Sequence, residues 1–214
     1  MMNRILSILS VLSCFFLLFS FSTEAVSQNQ NYYVEQMEQN GIPAVTGKSL
    51  DTLAEISTAL RQYLKEGERG TLAPYFSKSE IDHMVDVYAL FKLMRDVSML
   101  AITILAVSFF ALSRRVGWRG ALKMTGSSAM AILAILAFFS IIVAMNFHRA
   151  WFKFHQIFFS NNLWLMDPKK DLMIQMLPEP FFFGMVKRIG ATMLLGLIGL
   201  SGLFFIKGDS NEIK

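Results

Sequence analysis

Three histidines, His83, His148 and His155, are the side chains of this sequence best suited to general acid–base work near neutral pH. His148 and His155 are seven residues apart, which on a helix places them on one face, two turns from each other. Asp86 follows His83 by three, a helical spacing at which a carboxylate can orient an imidazole. Beyond His155 come Asn161, Asn162 and Trp164, donors that suit an oxyanion or simply tie down a loop. Asp167-Pro168 with Asp171 has the pattern of a helix start: an N-cap, a proline at N1 and an acid in the first turn. Glu179 stands between Pro178 and Pro180 and is expected on a rigid turn, outside any helix. Any one of these residues has an ordinary structural reading as a surface hydrogen bond or a cap. Their concentration in two stretches of the chain is what suggests a site.

Several chemistries lack the residues they need. Cys14 is the one cysteine and is embedded in an apolar run, far in sequence from every histidine, so it is a poor nucleophile. One cysteine also rules out a disulfide framework, a Cys-based zinc site and an iron–sulfur cluster. No Gly-x-Ser-x-Gly elbow, His-Glu-x-x-His pair or phosphate-cradling glycine loop is present. A zinc site from His83, His148 and His155 with Asp86 or Asp167 is conceivable, but its spacing matches no specific ligand motif, and no metal or other cofactor is assigned.

The elements that must position these residues are set by a composition far from that of a soluble domain. Of 214 residues 54% are hydrophobic and 17% charged, against roughly a quarter charged in soluble domains. The mean hydropathy is +0.45. Charge-free apolar runs cover Ile5–Phe21, Val97–Leu112 and Met124–Phe147, and a fourth, Ile189–Ile206, ends the apolar part of the chain. Since about 20 apolar residues cross a bilayer, the expected fold is all-α: an integral membrane protein with four transmembrane helices and a small, mainly helical extracytoplasmic domain. The boundaries read as a signal anchor at 1–24, an outer domain at 25–93 that runs into the second span, and spans at 94–113, 124–147 and 189–206. A basic loop at 114–123, an outer motif segment at 148–188 and a tail at 207–214 complete the chain. Met1–Ala25 also has a signal-peptide look, but its apolar run exceeds the usual 7–15 residues and Glu24 sits poorly at a cleavage site.

Charge orients the spans. The loop at 114–123 holds Arg114, Arg115, Arg119 and Lys123 and no acid, which places it in the cytoplasm by the positive-inside rule. Arg4, Lys207 and Lys214 then fall on the same side, giving seven basic residues against Asp209 and Glu212 inside, and thirteen against fourteen acids outside. Both termini are therefore expected in the cytoplasm, and all three histidines outside. Lys187 and Arg188, just before the fourth span, read as snorkelling to headgroups or as contacts to an anionic lipid or substrate carbonyl. No basic, aromatic-interleaved tract suggests nucleic acid.

Within the outer domain, a polar stretch with Tyr32 and Tyr33 leads to a turn at Asn40-Gly41-Ile42-Pro43. Ser49 or Asp51 caps a helix that puts Leu53, Ile56, Leu60 and Tyr63 or Leu64 on one face and ends at Gly67 and Gly70. Ser77 to Glu80 matches a capping box whose helix continues into the second span. His148 to Phe159 extends the third span outward, with charges threaded through an aromatic belt.

Two motifs stand out: Ser-x-x-Glu-x-x-His-Met-x-Asp-Val at Ser77–Val87, and Phe-His-x-x-Phe-Phe-x-Asn-x-x-Trp-x-x-Asp-Pro-x-x-Asp at Phe154–Asp171, followed by Pro178-Glu179 and Phe181-Phe182. With four spans in this order, the chain resembles the lipoprotein intramolecular transacylase family of bacterial membrane proteins over nearly its full length. The resemblance implies an acyltransferase on diacylated lipoproteins, which moves the sn-2 acyl chain of the diacylglyceryl-cysteine to that cysteine's own α-amine. The product is an N-acyl, S-monoacylglyceryl lyso-form. The two functional histidines of the family fall on His83 and His155; His148 matches neither motif and is left structural or interfacial. Asp86 is expected to orient His83, Asn161 or Trp164 to lie near the oxyanion, and Asp167, Asp171 and Glu179 to support or position the substrate. The implied partners are the lipoprotein and membrane lipid, and the implied location is the bacterial cell membrane. Because the attack is internal to the substrate, no Ser or Cys nucleophile is needed. Two other readings remain: a metal-dependent membrane hydrolase using the same histidines, and a non-enzymatic adaptor that binds a partner through the Leu53–Leu64 face.

Overall fold

A computed structural model describes residues 1–206 and is helical throughout; Lys207, Asp209, Glu212 and Lys214, used in the charge argument, lie outside the described residues. The elements are α1 (Met2–Ser27), α2 (Gln30–Gln39), α3 (Ile42–Thr46), α4 (Leu50–Glu66), α5 (Lys78–Met145), α6 (Phe147–Phe158), α7 (Leu172–Met176) and α8 (Glu179–Gly202). They form two compact units. One holds residues 1–23, 95–145 and 189–206; the other holds 24–94 and 146–188.

The first unit is built from long apolar helices. Met2–Ser27, Lys78–Met145 and Glu179–Phe205 are each long and apolar enough to cross a membrane. Helix α5 is not one rod. Gly117 has φ 75° and ψ 164°, a conformation that only glycine adopts without strain. Ser10 bonds Ser108 at 2.8 Å and Ser7 bonds Ser128 at 2.7 Å, so residues 108 and 128 meet the same turn of α1. In a straight helix those positions would be about 30 Å apart. The chain therefore folds back at Gly117, and the basic segment 114–123 is helical on both sides of that one residue.

The inner face of α1 is a row of small polar residues, Ser7, Ser10, Ser13 and Ser20, all buried. Small side chains let helices approach closely and hydrogen-bond where no water competes. The outer faces are apolar: Phe138, Phe139, Ile141 and Leu195 are all more than half exposed, as lipid contact requires. Taken with the long apolar helices, this makes the chain a membrane protein.

The second unit has an ordinary hydrophobic core. Ser49 caps α4 by accepting from Thr52 N–H, Gly67 ends it at φ 78°, and Leu53, Ile56, Leu60, Tyr63 and Leu64 are its buried stripe. That stripe meets Tyr32, Tyr33 and Met37 of α2, Ile42 of α3, Met173 and Met176 of α7, and Phe181 of α8. The stretch around Tyr32 and Tyr33, polar in sequence, is thus a helix with a buried face, started by the Asn29 side chain accepting from Tyr32 N–H. Tyr32 and Tyr33 pack on the Phe181 ring at 5.1 and 5.0 Å. Truncating a core residue such as Leu53 to alanine in such a site costs about 2–5 kcal/mol.

Three further expectations about elements are corrected. Residues 148–159 do not prolong the third span: Asn146, at φ −151° and ψ 74°, breaks the helix and restarts it as α6, its side chain accepting from Arg149 N–H. Asp167-Pro168 does not start a helix. The Asp171 carboxylate turns back to Asp167 N–H at 2.7 Å, so 167–170 form a turn and α7 starts at Leu172. Glu179 lies inside a helix, as the first residue of α8. Pro180 fits beside it because the first turn of a helix leaves its N–H groups unbonded anyway.

Candidate active site

Helix α5 opens with the capping box expected from Ser77 and Glu80, and the same glutamate does more. One carboxylate oxygen accepts from Ser77 N–H and the other from Met173 N–H, each at 2.7 Å. Only 3% exposed, Glu80 ties the start of α5 to α7. His83 follows it by one turn, directed inward by that anchorage.

Helix α6 carries the second imidazole. His155 Nδ1 lies 2.8 Å from the Trp151 carbonyl oxygen, one turn earlier. A carbonyl only accepts, so Nδ1 holds the proton and neutral His155 keeps the lone pair on Nε2. Aromatic rings fix the imidazole: Trp151 edge-on at 4.6 Å, and Trp164 stacked at 4.9 Å.

The two histidines meet. Their ring centroids are 6.3 Å apart and their planes 27° from parallel, too far for face contact and near enough to address one reacting centre. Phe159 bridges them, 5.1 Å from the His83 ring and 5.5 Å from the His155 ring. Both imidazoles are buried. Burial pushes the His83 pKa down to about 4, the His155 ring adds to that, and the Asp86 carboxylate opposes it. His155 is also held below its ordinary value by burial, against the hydrogen bond to Trp151. At neutral pH both are uncharged. His83 Nδ1 is buried without a hydrogen-bond partner, a costly state that a bound substrate group would relieve.

The other expected site residues divide. Asp86 does not hydrogen-bond His83; its carboxylate accepts from Asn161 Nδ2 at 2.7 Å. The three-residue helical spacing permits an Asp–His contact, but the side chain is captured by the loop after α6. Trp164 donates its indole N–H to the Asn161 carbonyl at 2.9 Å, so that proton is not available to an oxyanion. Asn161 keeps one amide N–H beyond the bond to Asp86. Asp167 and Asp171 organise their own turn, with Lys169 N–H donating to the Asp167 carboxylate at 2.9 Å. Glu179 pairs with His148 at 2.6 Å, in an exposed contact apart from the two buried imidazoles. Among the described residues no three His, Cys, Asp or Glu side chains gather as a metal site would need.

Sequence reasoning missed Glu80 as the link to α7, and Trp151 and Phe159 as the walls of the pair. A signal existed for Trp151 and Phe159, which flank His155 at the four-residue spacing of a helical face.

The sequence model of the lipoprotein intramolecular transacylase Lit matches residues 8–182. The chain belongs to that family. It is also similar to the in meso structure of the membrane integral lipoprotein intramolecular transacylase Lit from Bacillus cereus, with TM-score 0.81 and 26% identity, over 95% of this chain and 94% of that one. A histidine-to-alanine variant of the Bacillus cereus protein gives TM-score 0.76 at 25% identity, over 95% and 92%. A histidine-to-arginine variant gives 0.73 at 25% identity, over 95% and 90%. The comparison with curated proteins gave no match. Membership in a transacylase family makes this chain an acyltransferase, and in that family's setting the buried histidine pair is the candidate active site.

Proposed function

We propose that this protein converts a diacylated lipoprotein to its lyso-form by moving the sn-2 acyl chain to the α-amine of the same lipidated cysteine. The α-amine nitrogen attacks the ester carbonyl carbon, a C–N bond forms, and the bond to the glyceryl oxygen breaks. The nitrogen loses a proton and the departing glyceryl oxygen gains one, so the step needs no outside reactant. His155, with its lone pair on Nε2, takes the proton from nitrogen. His83, neutral and carrying one N–H, supplies the proton to the glyceryl oxygen, and the proton held on His155 then passes to His83, returning both rings to their neutral starting state. The protein's further contribution is to hold amine and ester together, which for well-oriented intramolecular reactions is worth about 7–11 kcal/mol of the barrier. Asn161, through its remaining amide N–H, is the group assigned to the tetrahedral oxyanion.

The observation that carries this reading is the pair of neutral imidazoles 6.3 Å apart, one with its tautomer set by a backbone carbonyl. The test is the yield of lyso-form from a synthetic diacylglyceryl lipopeptide with the His83→Ala and His155→Ala proteins. Each should lose at least about a hundredfold in rate, as loss of general acid–base catalysis typically does. Wild-type rates in both would overturn it.

The membrane arrangement that fits best has four crossings, with the α5 halves on either side of Gly117 as the second and third. The four basic residues at 114–123 support a cytoplasmic turn there, both termini on that side, and His83 and His155 on the extracytoplasmic side of the bacterial cell membrane, where mature lipoproteins reside.

A further inference from the structure

One turn beyond His83 the second unit has a cavity of about 150 Å³, lined by Asp86 and Asn161 with Leu90, Phe158, Phe159 and Ser160. Phe159 is also the ring that touches both histidines, so the cavity opens beside the reacting pair. Asp86 is fixed there: Asn161 donates to it at 2.7 Å, while Leu163 N–H and the Trp164 indole bond Asn161 at 3.0 and 2.9 Å. Some carboxylates of this unit have a cation, Asp82 with Arg69 and Lys78, Glu35 with Arg188, and Asp167 with Lys170; Glu80 and Asp171 have backbone N–H donors instead. Among the described residues Asp86 forms no ion pair, and one amide leaves most of its lone pairs unused. A half-buried carboxylate among aromatic rings, with a void beside it, is matched by a small cationic ligand. The volume holds about five water-sized groups, enough for an amine and its neighbouring carbons and too little for an acyl chain.

We propose that this cavity receives the protonated α-amine of the substrate's N-terminal cysteine, with Asp86 as its anionic partner. The inference rests on the acyl-transfer reading above and deepens it. An α-amine has a pKa of about 7.7–8.0, so it arrives mostly as a cation. Asp86 holds that cation beside His155 and His83; an ammonium has no lone pair, so one proton passes to water before attack, and the second passes to His155 as the C–N bond forms. The product amide carries no charge, so Asp86 favours substrate over product and promotes release.

The test uses a lipopeptide whose two esters are replaced by ethers, so that it cannot react, in free-amine and N-acetyl forms. Binding to the full-length protein in lipid nanodiscs at pH 7 should favour the free amine by about tenfold or more, the scale of a charge-assisted hydrogen bond. Asp86→Asn should bring the two forms within about twofold, and Asp86→Glu should restore the preference. In the wild type, where no variant has to fold, the preference should shrink toward unity between pH 7 and pH 10 as the amine loses its proton. Equal binding of both forms by the wild type, an undiminished preference in Asp86→Asn, or a preference unchanged at pH 10 would each overturn the proposal. Acyl transfer on the ester substrate is measured separately, so a failure of the reaction and a failure of amine recognition are read from different data.

Discussion

In the proposed reaction His83 and His155 act as a pair because each is kept uncharged. Two imidazolium rings with centroids 6.3 Å apart, within aromatic walls, would repel each other and lose their hydration. That same depression makes the fold sensitive to acid. The folded pKa of His83, about 4, lies below its ordinary 6.5, so between those values the unfolded chain binds more protons than the folded one. Stability should therefore be intact above pH 6.5 and fall as the pH drops toward 4, by up to roughly 3 kcal/mol from His83 alone. Thermal unfolding in detergent at pH 7 and pH 4.5 checks this: Tm should drop with acid in the wild type and drop less in His83→Phe. Equal drops in both would remove His83 from the account. At this scale the sequence singled out the two histidines that the fold brings together and said less about what the candidate residues touch. His83 and His155 were legible from two motifs. The Asp86–His83 contact was only permitted by helical spacing, and which partner captured the carboxylate depended on a loop 75 residues away. The Trp164 indole proton goes to a carbonyl only three residues back, a contact set by irregular loop backbone that residue types do not announce.

Among the elements, the ones legible in advance were those whose signals are local. Helix α4 has its Ser49 cap, apolar stripe and terminal glycine all in the sequence, and α5 begins with a complete capping box. Helix α2 was obscured because its buried face is made of Tyr32, Tyr33 and Met37, with polar residues elsewhere, and tyrosine reads as polar until its hydroxyl finds the Phe181 carbonyl. The break at Asn146 had no proline or glycine to announce it. Glu80 shows how a local cap can serve a distant contact. In Glu80→Ala both Ser77 N–H and Met173 N–H lose their partners, and a buried unpaired donor costs about 1–3 kcal/mol. Glu80→Ala should therefore lower Tm and loosen α7, measured as faster amide exchange at Met173. If exchange there is unchanged, Glu80 does not anchor α7.

For the whole molecule, the division of labour is between a unit that supplies lipid-facing helices and a unit that supplies the histidine pair. The all-helical membrane character was plain from composition, because charge-free runs of this length have few other uses. The single-residue turn at Gly117 was not, since a basic segment with good helix formers gives no measure of how little chain a hairpin needs. The proposed orientation is checked by single cysteines in a Cys14→Ser background: in intact cells an impermeant thiol reagent should label Lys48→Cys and spare Arg114→Cys. The reverse pattern would invert the topology and place the histidines in the cytoplasm. Intramolecular acyl transfer is decided by tandem mass spectrometry of a lipoprotein's N-terminal peptide, from cells with and without this protein. One acyl chain should move from the glyceryl group to the α-amine at unchanged total mass; loss of one acyl mass with a free amine, or no change at all, would rule intramolecular transfer out.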